Sequence, residues 1–136
     1  MHLMTLTQRC ALALAIGLCA AGARAGDVFI IGNGVSGLSP EEVKEVFLGE
    51  VQFANGVKVL PVDNAAVQAD FQARVLKMPP AKYTAAWTKR AFRDGLNAPP
   101  MKGSDAEVTG YVRANPGALG YLSAPPPAGI TLIGKF

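Results

Sequence analysis

The sequence holds two cysteines and one histidine, and His2, Cys10 and Cys19 all lie in its first 19 residues. Beyond them there is no thiol and no imidazole. A disulfide, a thiolate or imidazole metal site, a Cys–His pair and a Ser–His–Asp triad are therefore excluded for the rest of the chain. Long hydrophobic runs are also absent. The apolar stretch at residues 10–21 has 12 residues, short of the ~20 needed to span a bilayer. Charge is modest, with 17% charged and 50% hydrophobic residues, a balance that supports a packed core and excludes wholesale disorder.

The short apolar run has a specific context. Residues 1–9 contain Arg9 and no acid, and Ala23, Arg24 and Ala25 form an Ala-x-Ala pattern before Gly26. This is the layout of a secretory signal peptide, cleaved after Ala25. Leu18 before Cys19 is too bulky for a lipoprotein site. The expected product is a soluble periplasmic protein comprising residues 26–136, one domain of 111 residues. Arg9 and Arg24 leave with the leader, so Lys+Arg falls from 13 to 11 against Asp+Glu 10, and the net charge from +3 to +1. Nucleic-acid binding thereby loses its electrostatic support, which needs a concentrated basic surface.

Along the mature chain, residues 27–31 read as a buried strand ending at Gly32. Ser39, Pro40 and Glu42 form a helix start in which Ser39 caps, Pro40 suits the first helical position and Glu42 bonds back. Val43, Val46 and Phe47 follow at helical spacing, and Gly49 closes the helix. Asn55–Gly56 is a turn signal, and residues 57–62 read as a second strand. Asp63 or Asn64 is expected to cap a second helix, with Val67, Phe71, Val75 and Met78 on its apolar face and Pro79–Pro80 stopping it. Residues 81–92 read as a third helix. Ser104 to Glu107 is another capping box, for a helix ended by Asn115–Pro116–Gly117. Residues 118–122 read as a third strand and 130–133 as a last one, while Pro125–Pro127 stays out of any central strand. Strands separated by helices imply an α/β domain with a small mixed sheet.

One motif suggests a dinucleotide. Gly32, Gly34 and Gly37 fit Gly-x-Gly-x-x-Gly between a strand and a helix. The Ser39 cap starts the helix after the third glycine, however, and about 73 residues remain beyond Asp63, too few for the rest of such a fold. The motif reads as a glycine-rich connecting loop.

Several segments taken in order are more informative. Residues 38–49 resemble the capped helix and Phe-x-Gly element of phosphate-binding proteins of ABC importers. Residues 58–63 resemble their next strand, Phe71 the aromatic of the following helix, and Trp87 with Phe92 their Trp-x-x-x-x-Phe segment. Residues 103–112 and the Asn-Pro-Gly-Ala-Leu-Gly-Tyr of residues 115–121 continue the match, which spans roughly residues 28–124. The resemblance implies a single lobe of the periplasmic-binding-protein type 2 fold, whose full members close two lobes around a cleft. It implies a solute-binding, non-enzymatic component of phosphate import, with no cofactor and no metal.

The resemblance breaks at residues 62–71, which lack the family's Arg and Ser-Gly-Thr. Asp63 puts negative charge where the anion would sit. Two like charges 4 Å apart repel by ~4 kcal/mol at an effective dielectric near 20. The polar contacts left for a small anion are Ser36, Asp63, Asn64 and Gln68. Tyr121, after Gly120 at a strand end, faces either the core or the cleft. Tyr83 and Trp87 form either core packing or an aromatic ligand wall. Glu41, Glu42 and Glu45 favour their helix dipole and suit solvent rather than acid–base chemistry. Lys82, Lys89 and Arg93 share one helical side and form either a solvated face or a docking surface for an acidic partner or anion. The partner classes open at this level are a small oxyanion, a membrane or periplasmic protein, and a second copy of the chain. The alternative function is an interaction or sensor module that keeps the fold without the ligand.

Overall fold

The computed structural model describes residues 26–136, so the proposed leader lies outside the described residues. Among them, no helix is long and apolar enough to cross a membrane. The architecture is mixed α/β. A four-stranded sheet has the order β4–β7–β1–β8, from β4 (Leu60–Pro61), β7 (Ala118–Leu122), β1 (Phe29–Gly32) and β8 (Thr131–Lys135). Strand β4 runs parallel to β7, and β1 is antiparallel to both β7 and β8.

Strands β1 and β7 are buried along their whole length, which accounts for their continuous apolar sequence. Side chains alternate between two faces. Ile30, Leu119 and Tyr121 join one cluster with Val43, Val46, Phe47, Phe71 and Trp87. Phe29, Ile31, Ala118 and Leu122 join the other with Val108 and Val112. Helices α1 (Pro40–Phe47), α2 (Gln68–Phe71) and α3 (Pro80–Asp94) supply the first cluster, and α4 (Asp105–Ala114) the second. Gly120 lets α4 lie close to the sheet, since a Cβ there would stand 2.8 Å from Val108 Cγ1.

The helix starts follow the sequence. Ser39 Oγ accepts from Glu42 N at 3.2 Å, and Glu42 Oε1 accepts from Ser39 N at 3.3 Å. At α4, Ser104 Oγ accepts from Glu107 N at 3.2 Å, but Glu107 Oε2 reaches Gly103 N at 2.8 Å, one residue before the cap. The end of α1 is closed by tertiary contacts. Trp87 Nε1 donates to Phe47 O at 3.0 Å and Arg90 Nε to Leu48 O at 3.1 Å, satisfying carbonyls that a helix terminus leaves open. The Trp87 ring covers Gly49, where a Cβ would lie 2.7 Å from the indole.

Three expectations need correction. Residues 57–62 are not one strand. Val57–Lys58 (β3) turns back onto Phe53–Ala54 (β2) through Asn55–Gly56, both at positive φ, whereas Leu60 onward pairs with β7. That turn has the backbone signs of a type I′ hairpin. Second, Asp63–Asn64 form strand β5, parallel to Met101–Lys102 (β6), and do not cap a helix. The cap position of α2 is Val67, which has no side-chain cap. Third, α2 continues as a π-helical segment, Gln72–Leu76, that ends at Lys77 with φ 54°. The wider turn brings Gln72 and Leu76 inward beside Val75.

The glycine-rich loop serves the chain itself. Asn33 Nδ2 donates to Val112 O at 2.8 Å and Arg113 O at 3.3 Å, capping α4. Asn33 O accepts from Gly117 N at 2.8 Å. Gly117 has φ 88°, and a Cβ there would collide with the Lys58 carbonyl oxygen. Gly117→Ala is therefore expected to destabilise the protein by at least ~1–3 kcal/mol, the cost of left-handed backbone for a side-chain-bearing residue. A urea titration checks this, and an unchanged midpoint would contradict the packing described.

Candidate functional site

A buried carboxylate lies at a cleft with several polar side chains. Asp63 is 3% exposed. Its Oδ2 accepts from the Tyr83 hydroxyl at 2.7 Å and its Oδ1 from the Tyr121 hydroxyl at 2.9 Å. Three elements meet here, since Asp63 comes from β5, Tyr83 from α3 and Tyr121 from β7. The Tyr121 ring stacks on Phe71, centroids 3.9 Å apart, and meets Phe47 edge-on at 5.7 Å. That stack fixes where the hydroxyl points.

Burial pushes the Asp63 carboxyl above its usual value, and the two hydroxyl donors pull the other way. Burial and then the neighbouring Asp63 charge push both phenols well up. Both tyrosines thus stay protonated and remain donors at any physiological pH.

Asp63 floors a cleft of about 500 Å³. Gln68, Gln72, Thr84, Thr88 and Asn97 bring polar groups to it, and Tyr83, Trp87 and Met101 bring ring and thioether surface. The volume lies within the range of small-molecule sites.

Of the expected ligand contacts, Asp63 and Gln68 share this cleft. Asn64 does not reach it. It is fully buried, its Nδ2 donates to Asp105 Oδ1 at 2.8 Å and Tyr121 O at 3.0 Å, and its Oδ1 accepts from Ala66 N at 3.0 Å. All of its amide is spent on holding β5 against α4 and β7. Tyr121 is likewise fully buried and meets the cleft only through Asp63. Ser36 is exposed on its loop and does not line the cleft. Sequence reasoning missed Gln72, Thr84, Thr88 and Asn97. The periodicity at 84, 87, 88 and 91 was the only available signal for the α3 wall, and nothing local marked Gln72.

Lys82, Lys89 and Arg93 do come together. With Leu48, Glu50, Met78 and Arg90 they line a groove of about 380 Å³ on the other side of α3. Arg93 and Arg90 both pair with Asp94, at 3.5 and 3.2 Å.

Comparison with known proteins bears on the fold. No family model matches the chain, and no curated protein matches it in sequence. Among solved structures it is similar to PstS from Borrelia burgdorferi, at TM-score 0.53 and 11% identity over 83% of this chain and 47% of that one. It is also similar to an ABC-type phosphate transport receptor from Vibrio cholerae, at TM-score 0.48 and 14% identity over 82% of this chain and 48% of that one. The likeness is one of fold, a mixed α/β unit with a small mixed sheet flanked by helices. The chain spans about half the length of these structures.

The Asp63 environment predicts a pH signature. Its carboxyl holds a proton more tightly folded than unfolded, so the stability it contributes is present below the usual value of 3.8 and is lost as pH rises through the raised folded value. Asp63→Asn removes that loss. The midpoint difference, variant minus wild type, is expected to grow more positive from pH 3.8 towards neutrality. Paired thermal melts across that range check it, and a flat difference would contradict the assigned environment.

Proposed function

We propose that this chain is a solute-binding lobe, related in fold to phosphate transport receptors, and that its solute sits in the cleft over Asp63. One observation carries the reading: a nearly fully buried carboxylate, held by two tyrosine hydroxyls, floors a polar cleft. Burying such a group costs free energy unless its lone pairs are used. A groove that keeps acceptor capacity at its base is suited to a polar ligand. The role proposed is binding rather than catalysis, in the periplasm after export and cleavage at Ala25. Phosphate is the solute that one neighbour's own description names, and with other small anions it is the first to test.

A second reading has an observation of its own. In the groove lined by Lys82 and Lys89, neither lysine has an acidic partner among the described residues. The groove also has an apolar floor of Leu48, Met78, Ala85 and Ala86. That surface suits docking to an acidic protein segment, whether or not the cleft is used.

Thermal unfolding with phosphate, sulfate, polyols and small amines tests the first reading. A ligand of the native state at 100 times its Kd stabilises by about 2.7 kcal/mol. At least one solute class is expected to raise the midpoint saturably. Thr84→Trp, a bulky change on an exposed wall of the cleft, is expected to abolish the rise without lowering the unliganded midpoint. No rise with any class would overturn the solute-binding reading and leave the docking surface.

A further inference from the structure

The charge in the cleft is one-sided. Its lining residues include Asp63 and contain no lysine, arginine or histidine. The four ion pairs among the described residues involve Asp27 and Asp94, and none involves Asp63. Lys102, on the strand paired with β5, lies over the Tyr111 ring at 5.2 Å from its centroid. An ionised carboxylate offers about four acceptor positions, and the two tyrosine hydroxyls occupy two of them. The site thus holds a buried acid with spare acceptor capacity and no counter-charge. A buried carboxylate becomes favourable only with a cation and further donors.

The walls fit such a cation. Tyr83 and Trp87 are both among the residues lining the cleft, and aromatic rings attract ammonium groups through their electron-rich faces. Pro80, Ala91 and Met101 supply apolar surface for a short alkyl chain. A phosphate or sulfate would instead meet a like charge with nothing positive to offset it.

Resting on the reading that this cleft is the solute site, we propose that its ligand is a small aliphatic amine, whose ammonium group donates to Asp63 while its alkyl chain lies against Trp87 and Met101. The ligand supplies the positive charge that the protein omits.

The single tryptophan of the chain is among the residues lining the cleft, so its fluorescence serves as a probe of occupancy. The purified protein is titrated with 1,4-diaminobutane, with 1,4-butanediol as a neutral molecule of similar shape, and with inorganic phosphate. The diamine is expected to change Trp87 emission saturably and to bind at least tenfold more tightly than the diol. Asp63→Asn is expected to erase that tenfold preference. The diamine–diol comparison on the unaltered protein decides the matter even if the variant does not fold. Equal or tighter saturable binding of the diol or phosphate would overturn the amine assignment while leaving a solute-binding lobe. A preference for the diamine that survives Asp63→Asn in a folded variant would overturn the role given to Asp63. No saturable response to any of the three, together with no stabilisation by any solute class in the thermal assay, would overturn both readings.

Discussion

The Asp63 carboxylate is the joint on which the described structure turns. It accepts one hydroxyl from α3 and one from β7, elements separated by β6 and α4 in the chain. A buried charge with two neutral donors is a demanding arrangement. It holds because each donor is fixed by other packing. Tyr121 is stacked on Phe71, and Tyr83 is set by a helix whose next inward turn presents Trp87. The polar node and the aromatic core are therefore one construction, and the position of the cleft follows from it.

Helix α3 has two further duties. It closes the C-terminus of α1 through Trp87 and Arg90, and its two sides face different openings. The Asp63 side carries hydroxyls and aromatic surface without a cation. The opposite side carries Lys82, Lys89, Arg90 and Arg93. Separating the cations from the buried acid keeps the acid unneutralised. A cation beside Asp63 would relieve its burial and would also fill the acceptor sites that a ligand can use.

The fold resemblance and the site chemistry point in different directions, and both have physical grounds. The overall fold is similar to part of PstS from Borrelia burgdorferi, and a fold depends on apolar burial and helix termini. Ligand charge depends on a few side chains placed on that frame. Where the resembling family carries a guanidinium and hydroxyl donors, this chain carries an acid held by two phenols.

Much of the frame was legible locally. The Ser39 and Ser104 caps, the Asn55–Gly56 turn and the buried strand at residues 118–122 all depend on neighbours in sequence. The absence of cysteine and histidine beyond residue 19 likewise excluded whole classes of chemistry without any structure. Two-residue strands β5 and β6 were not legible, because each exists only through backbone bonds to a partner some 38 residues away, such as Asp63 N to Pro100 O. For the same reason Asp63 and Asn64 resembled a helix cap in sequence. The π-helical turn that buries Gln72 has no local signature either. Residue types and helix starts were determined by the sequence itself, since capping and turn chemistry act within four residues. Only tertiary structure decided that Asp63 would meet Tyr83 and Tyr121 and that Asn64 would be consumed in the core, because those bonds close 20 to 58 residues of chain.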